Sequence, residues 1–99
     1  MGQTIEILKT TVIGDVLVVD TDRTLAGQDG EAFAGAGVAS VRDTFPARLA
    51  VRLFESDPGI DNVFVMSNTV SIRRPQGWSE DTTVPAAQVV SEFFRFYPD

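Results

Sequence analysis

Two short runs, VFVM and TVSIR, constrain the fold of this chain more than any other feature. They are separated by only two residues, Ser67 and Asn68, and a two-residue connection of this kind joins antiparallel strands in a hairpin. Asn tolerates a positive φ, so we expect Asn68 to take the left-handed position of the turn. Alternation places every second side chain on one face of a strand. The predicted apolar face consists of Val63, Val65, Val70 and Ile72.

An amphipathic helix is predicted immediately before the hairpin. Thr44 is a suitable N-cap, Pro46 is tolerated in the first turn, and the Asp-Pro-Gly step at residues 57–59 ends the helix. A second helix is predicted at residues 83–97, with Pro85 in its first turn. The first helix presents an apolar face made of Leu49, Ala50, Leu53 and Phe54. The second presents an apolar stripe made of Ala86, Val89, Val90, Phe93 and Tyr97.

The part of the chain before the first helix predicts two strands and a loop. Residues 4–8 alternate apolar and polar side chains, and residues 15–22 are rich in β-branched residues and follow a Gly-Asp turn. Residues 27–40 carry four glycines and few large side chains, so we expect a loop there, with a short strand around Phe33.

The order strand, strand, loop, helix, hairpin, helix predicts an α+β fold. Two helices with one apolar face each are accommodated by a two-layer sandwich, in which an antiparallel sheet of about four strands is covered on one face by the two helices. A length of 99 residues is typical of one domain, so residues 1–99 are predicted to form a single unit. We expect one core that contains Leu53, Phe54, Val63, Val70, Ile72, Val90 and Phe93.

Composition and charge exclude several classes of function. The net charge of −6 would repel a phosphate backbone, so nucleic acid is not an expected partner. The chain has no Cys and no His, which removes the usual ligands of zinc and of iron–sulfur clusters and the usual proton-transfer groups. We therefore expect no cofactor, no metal site and no enzymatic activity. No apolar run approaches the roughly 20 residues of a membrane helix, and no leader is evident, so a cytoplasmic protein without a membrane partner is expected.

Two motif-like stretches do not predict a site. The segment at residues 20–31 places acids in part of the spacing of a calcium loop, but Leu25 stands where the sharp turn of such a loop needs Gly. The glycines at residues 35–40 do not open a long helix that leads to a second parallel strand with an acid, as a dinucleotide-binding loop requires. Asp20 and Asp22 could act as an acid–base pair, but nothing near them in the sequence is suited to raise the pKa of either carboxyl.

Arg73, Arg74 and Trp78 form the candidate partner-binding site. Arg and Trp are enriched at the positions that dominate protein–protein binding, and these three lie close together after the hairpin. Adjacent strand residues point to opposite faces, so only one arginine is solvent-facing. We predict that it is Arg74, which requires the strand to twist or end by Pro75; simple alternation would instead expose Arg73. The alternative for Trp78 is a structural role at the edge of the core.

The stretch LAVRLFESDPGIDNVFVMSNTVSIRR, followed by Trp78 and the closing helix, resembles the N-terminal domain of the Nfu/NifU-type iron–sulfur cluster scaffold proteins. The resemblance covers about half of the chain. It departs from the family at the start, where TVIGDVLVVDTD stands in place of the usual Thr-Pro-Asn-Pro-Asn entry. The matching positions are Leu53, Phe54, Gly59, Ile60, Val63, Phe64, Val70, Ile72, Arg74 and Trp78.

The resemblance implies a non-catalytic interaction module. In that family the cluster is held by a Cys-x-x-Cys pair in a separate C-terminal domain, and this chain has no cysteine. A role in cluster assembly or delivery would therefore require a protein partner, such as an iron–sulfur scaffold or carrier, that supplies the cysteines. The alternative is a ferredoxin-like domain that binds a small molecule or regulates another domain, with the glycine-rich loop closing over the ligand. A β-α-β-β-α-β order would favour that alternative.

Overall fold

The structure, a computed structural model, describes residues 5–93. Within that range it contains one antiparallel sheet and three helices. The strands are β1 (Ile7–Ile13), β2 (Val16–Thr21), β3 (Glu31–Phe33), β4 (Asn62–Met66) and β5 (Thr69–Arg73). The helices are α1 (Ala36–Ser40), α2 (Phe45–Ser56) and α3 (Glu80–Ser91). None of these helices combines the length and the apolar character needed to cross a membrane.

The five strands lie in the order β1-β2-β5-β4-β3, and every neighbouring pair is antiparallel. The predicted β4–β5 hairpin is confirmed, and β2 pairs with β5 in the middle of the sheet. Burial alternates along β2, β4 and β5, so one face of the sheet packs against the helices and the other, the open face, does not. One row of paired residues on the covered face crosses the whole sheet: Val12, Leu17, Ile72, Val63 and Phe33.

Helix α2 forms as its sequence predicts. The Thr44 side chain accepts a hydrogen bond from the backbone N–H of Ala47 at 3.2 Å, and Pro46 lies in the first turn. The helix ends at Ser56, before the predicted Asp-Pro-Gly step. Its apolar residues and those of the sheet and α3 form one buried cluster, which confirms the α+β sandwich. Every residue of the predicted core is buried in it: Leu53, Phe54, Val63, Val70, Ile72, Val90 and Phe93.

The sheet has five strands where about four were predicted. The short strand expected around Phe33 is β3. The first strand, predicted at residues 4–8, begins only at Ile7 and continues to Ile13; residue 4 lies outside the described residues. A β-bulge between Ile7 and Lys9 shifts the register of β1 against β2. The bulge and the polar run from Lys9 to Thr11 interrupt the alternation by which a strand is recognised.

The helices differ from the prediction in number and in their ends. The segment 27–40, expected to be a loop, contains the short helix α1, whose Ala39 is buried in the core. Helix α3 begins at Glu80, not at Thr83, because Ser79 and Thr82 form a reciprocal cap at its start. The predicted stripe is confirmed at Ala86, Val90 and Phe93, while Val89 is partly buried; Tyr97 and the end of the predicted helix lie outside the described residues.

The β4–β5 turn corrects one prediction. Ser67, not Asn68, has the positive φ, at 54°. The Asn68 side chain instead donates to the carbonyl oxygen of Thr21 at 3.0 Å, and the Asn68 carbonyl accepts from both the backbone N–H and the hydroxyl of Thr21 at 2.9 Å. Asn68 therefore joins the turn to the end of β2. Its carbonyl oxygen is a hydrogen-bond acceptor for the hydroxyl of the buried Thr21.

The order of the described elements is β-β-β-α-α-β-β-α. It differs from the β-α-β-β-α-β order that a ferredoxin-like domain would show. Three strands, not two, precede the first helix, because β3 is inserted between β2 and α1.

Candidate functional site

The three predicted site residues meet at one end of the sheet, around the β1–β2 turn. The carbonyl oxygen of Asp15 in that turn accepts hydrogen bonds from the backbone N–H of Arg74 and from the indole N–H of Trp78, both at 2.9 Å. The Asp15 carboxylate accepts from the Arg73 Nε at 3.1 Å. One residue thus organises all three. We call this region the arginine end; it comprises Asp15, Asp57, Asp61, Arg73, Arg74 and Trp78.

Arg74 is turned inwards, so the prediction that it is the solvent-facing arginine is wrong. Its side chain is 20% exposed; its Nε donates to Asp57 Oδ2 and its Nη1 donates to the carbonyl oxygen of Gly77, both at 2.9 Å. Asp57 also accepts from the backbone N–H of Gly59 at 2.8 Å. Arg74 therefore fastens the α2–β4 loop to the β5–α3 loop.

The physical reason for the error lies in the point at which the strand ends. Alternation continues through Arg73, the last residue of β5, so Arg73 takes the open face and Ile72 the covered face. The chain then turns, with a hydrogen bond from the Gly77 N–H to the Arg74 carbonyl and a φ of 89° at Gly77. Arg74 lies in this turn, where strand parity no longer decides the direction of its side chain.

Arg73 is the accessible arginine of the pair, with 50% of its side chain exposed. Besides the bond to Asp15, its Nη1 lies 3.8 Å from Asp61 Oδ2. The hydrogen bond to Asp15, together with the charges of Asp61 and Asp15, raises the pKa of the Arg73 guanidinium, which is already fully protonated at neutral pH. The two carboxylates hold the side chain in one position and leave part of the planar guanidinium open to solvent.

The arginine end carries no excess of positive charge. Its two arginines face three carboxylates, those of Asp15, Asp57 and Asp61, which gives a local charge of −1. An acidic group on a partner would have to displace carboxylates that already bind Arg73. Stacking of a flat group on the guanidinium plane would leave those contacts in place.

Trp78 has a mainly structural environment. The ring is partly buried and packs against the core, and its N–H is already bonded to the Asp15 carbonyl. Loss of the indole would therefore disturb the β5–α3 connection as well as any contact surface.

The open face of the sheet beside Arg73 was not recognised in the sequence. Val16 and Asn62 are the residues paired with Arg73 on the two neighbouring strands. Together with Phe64 and Ser71 they line a shallow depression of about 180 Å³ next to the guanidinium. The sequence contained a signal for an apolar open face. Along β2 and β4 the core residues alternate with Val16, Val18 and Phe64, which are also apolar but point to the opposite face. None of these three belongs to the buried core.

Further depressions lie on the helical side. A cleft of about 420 Å³ lies beside α1 and α2 and includes Arg42, Arg48 and Val51. Arg42 lies 3.9 Å from Glu31 and Arg48 is bonded to Asp43, so both cations are already paired. Another depression, of about 290 Å³, lies between α2 and α3. Within residues 5–93, no group of three or more His, Cys, Asp or Glu side chains could hold a metal ion.

The geometry defines a class, an α+β domain with one five-stranded antiparallel sheet and helices packed against it. Among solved structures, the fold is similar to the crystal structure of protein SAV1430 from Staphylococcus aureus, a structural genomics target. The TM-score is 0.61 and the sequence identity 15%, over 86% of this chain and 96% of that chain, a likeness that shows the fold alone. No profile of a protein family matches the sequence. A search of curated proteins finds no match either.

Proposed function

We propose that this protein is a non-catalytic interaction module that docks onto another protein through Arg73 and the open face beside it. The observation that carries the proposal is the half-exposed Arg73 guanidinium at the rim of an apolar depression. We further propose that docking serves iron–sulfur cluster assembly or delivery, with the cysteines supplied by a scaffold or carrier protein.

The composition of the surface supports a docking role. Arg and aromatic side chains are enriched at the centres of protein interfaces, and Arg73 and Phe64 both line the depression. The ion pairs with Asp15 and Asp61 restrict the Arg73 side chain before a partner arrives, which reduces the entropy lost on binding. A flat or apolar surface with one group that stacks on the guanidinium fits this arrangement.

The cluster-related part of the proposal rests on the sequence resemblance to the Nfu/NifU N-terminal domain. A chain with no cysteine has no thiolate for an iron–sulfur cluster. Any part that it takes in cluster chemistry must therefore act through binding of a cysteine-bearing protein.

The test is affinity capture from the native cell with the tagged protein and two single variants. Arg73→Ala removes the proposed contact; Ala is used because Glu would add another carboxylate beside Asp15 and Asp61. Arg48→Ala is the matched control, since Arg48 is also 50% exposed and ion-paired to a carboxylate. We expect wild type and Arg48→Ala to retain a cysteine-bearing scaffold or carrier, identified by mass spectrometry, and Arg73→Ala to lose it at an unchanged melting temperature. Equal capture by all three would contradict the proposal.

The alternative function, a small-molecule-binding or regulatory domain, has one observation in its favour. The cleft beside α1 lies at the end of the glycine-rich segment and has the volume of a ligand site. If the cleft is the site, Arg48→Ala will impair binding of the natural ligand while Arg73→Ala will not. The same two variants therefore separate the two proposals.

A further inference from the structure

In the part of the chain that the structure describes, no strand pairs with the outer side of β1. It is the first strand in the order β1-β2-β5-β4-β3, and with seven residues it is the longest strand of the sheet. Its side chains are also unusually accessible, because Leu8, Val12 and Ile13 are 57%, 48% and 65% exposed. A long edge strand with exposed apolar side chains is a template for pairing with another chain.

The protections that edge strands commonly carry are sparse in β1. The strand contains no proline and a single charged residue, Lys9. Besides Lys9, the strand has a bulge between Ile7 and Lys9, which affects only its start. The segment from Lys9 to Ile13 pairs with β2 in an uninterrupted register, so it presents a regular outer edge of five residues.

We propose that β1 pairs antiparallel with β1 of a second copy of this chain, about a two-fold axis at Thr11. The two sheets then form one continuous sheet across the pair. This inference does not depend on the partner docking at Arg73.

The backbone of β1 sets the register. Ile13 and Val16 flank the two-residue turn at Gly14 and Asp15, and residues that flank such a turn exchange hydrogen bonds across the hairpin. The backbone N–H and C=O groups of successive strand residues point alternately towards β2 and away from it. Those of Thr10 and Val12 therefore point to the outer edge. A two-fold axis at Thr11 places Thr10 opposite Val12 of the second copy, which is the pairing that satisfies these outward groups.

The side chains fit this register. Thr11 meets Thr11, a favourable cross-strand pair. Lys9 meets the exposed Ile13, over which its aliphatic stem can lie. Leu8 falls opposite Gly14 of the second copy. Gly14 has no side chain, and nothing lies within 4 Å of the position that its Cβ would take, so there is space for the Leu8 side chain.

Charge favours a second copy as the occupant. The register separates the two Lys9 ammonium groups by the length of the paired segment, so like charges are not opposed. It also brings each Lys9 two positions from Asp15 of the other copy, whose carboxylate binds Arg73 on the same face of the sheet. The only charge on β1 is thereby directed towards an acid of the second copy, although each chain has a net charge of −6.

The same geometry limits the size and strength of the assembly. The pair uses both β1 edges, and the remaining edges are formed by β3, which has only three residues, so growth stops at two copies. A contact between single strands lies below the size of a stable interface. We therefore expect a weak dimer, with a dissociation constant on the order of 0.1 mM.

Sedimentation equilibrium of the full chain, from about 10 µM to about 1 mM, tests the proposal. The variants are Ile13→Lys, which opposes Lys9 of the second copy, and Ile13→Glu, which pairs with it. We expect the dissociation constant of Ile13→Lys to exceed that of Ile13→Glu by about tenfold. Long-range repulsion would give the opposite order, because Ile13→Glu makes the net charge more negative. Val41→Lys and Val41→Glu are the controls, since Val41 is 82% exposed and follows α1 at the other edge.

Any of three outcomes would overturn the proposed pairing. A wild-type protein that stays monomeric at about 1 mM has no such pairing. A dimer with equal dissociation constants for Ile13→Lys and Ile13→Glu, or with the reverse order, does not use the Thr11 register. Backbone amide shifts of Thr10 and Val12 that do not change with protein concentration would locate any observed dimer at another surface.

Discussion

Strands β1 and β3 both lie at an edge of the sheet, but within residues 5–93 β3 is more enclosed than β1. Helices α1 and α2 both contact β3, and its Phe33 is fully buried. The Arg42 guanidinium lies 5.5 Å from the centre of the Phe33 ring, and the Thr44 hydroxyl donates to the Glu31 carboxylate at 2.9 Å. Strand β1 is more than twice as long, and most of its side chains face solvent.

The difference shows two ways to hold an edge strand in place. Three residues of β3 make too short a ladder to be stable alone, so tertiary contacts through Phe33 must supply the stability. β1 is one half of a long hairpin whose ladder runs along the whole of β2. Its position does not depend on contacts at its outer side, which is why that side can remain open for another chain.

The largest expected effect compares one position on each edge strand. Phe33 and Val12 lie in the same row across the sheet, but Phe33 is fully buried and Val12 is about half exposed. Phe33→Ala should lower the free energy of unfolding by about 3–5 kcal/mol, because it leaves a cavity. Val12→Ala should change it by less than about 0.5 kcal/mol. Urea denaturation measures both, and similar costs would mean that the two edges are equally enclosed.

A smaller effect compares the glycines next to the two edges. Gly30, before β3, and Gly14, after β1, both have a positive φ, at 73° and 62°. A Cβ on Gly30 would lie 2.7 Å from the Phe64 ring and 2.9 Å from the Val65 carbonyl oxygen, whereas a Cβ on Gly14 would meet nothing.

Alanine at either position therefore carries the cost of the left-handed backbone, about 1–2 kcal/mol. Gly30→Ala should cost about 1–3 kcal/mol more than Gly14→Ala, because the ring and the strand must move. Thermal or urea unfolding of the two variants gives the difference directly. If Gly14→Ala is the more harmful substitution, the β3 edge is looser than its contacts indicate.

The smallest expected effect concerns the carboxylate of Asp22, which follows β2 and binds the backbone just before β1. Asp22 accepts hydrogen bonds from the Arg23 Nε at 3.0 Å and from the backbone N–H of Glu6 at 3.2 Å. The Arg23 hydrogen bond, and secondarily the bond from Glu6, hold the pKa of this carboxyl below its ordinary value of 3.8.

A lowered pKa in the folded state stabilises the protein at every pH above the ordinary value, and the contribution is lost as the pH falls through the lower, folded-state pKa. Asp22→Asn should thus lower the urea midpoint slightly at pH 7 and have no effect at the most acidic pH. Asp29→Asn, at an exposed carboxylate before β3, serves as the control. A wild-type advantage that persists unchanged into acid would exclude this role for Asp22.

Local patterns account for the elements that could be predicted from the sequence. The hairpin was evident because Val63, Val70 and Ile72 lie within a few residues of one another, and α2 because Thr44 caps a helical apolar face. Helix α1 was not, since its glycine-rich sequence has low helix propensity and tertiary contacts of Ala39 hold it in place.

The candidate site was only partly predictable, because it depends on contacts between residues far apart in the sequence. Sequence proximity correctly brought the arginines and Trp78 into one region, but the residue that organises them, Asp15, lies 58 positions before Arg73 and carries no motif. The direction of Arg74 depends on Asp57 and on the turn at Gly77, both of which lie outside the strand pattern.

The central pairing of β2 with β5 has a consequence for how the chain folds. Each hairpin, β1–β2 and β4–β5, closes over a two-residue turn and can form locally. Joining them requires contacts such as that between Asp20 and Thr69, which are 49 residues apart, so a long segment of chain loses its freedom before the middle of the sheet exists. The rate of folding, measurable by stopped-flow refolding, therefore depends on the non-local pairing of β2 with β5 more than on either hairpin. Until β2 pairs with β5, each hairpin has two free edges. At that stage the chain is most exposed to pairing with a strand of another molecule.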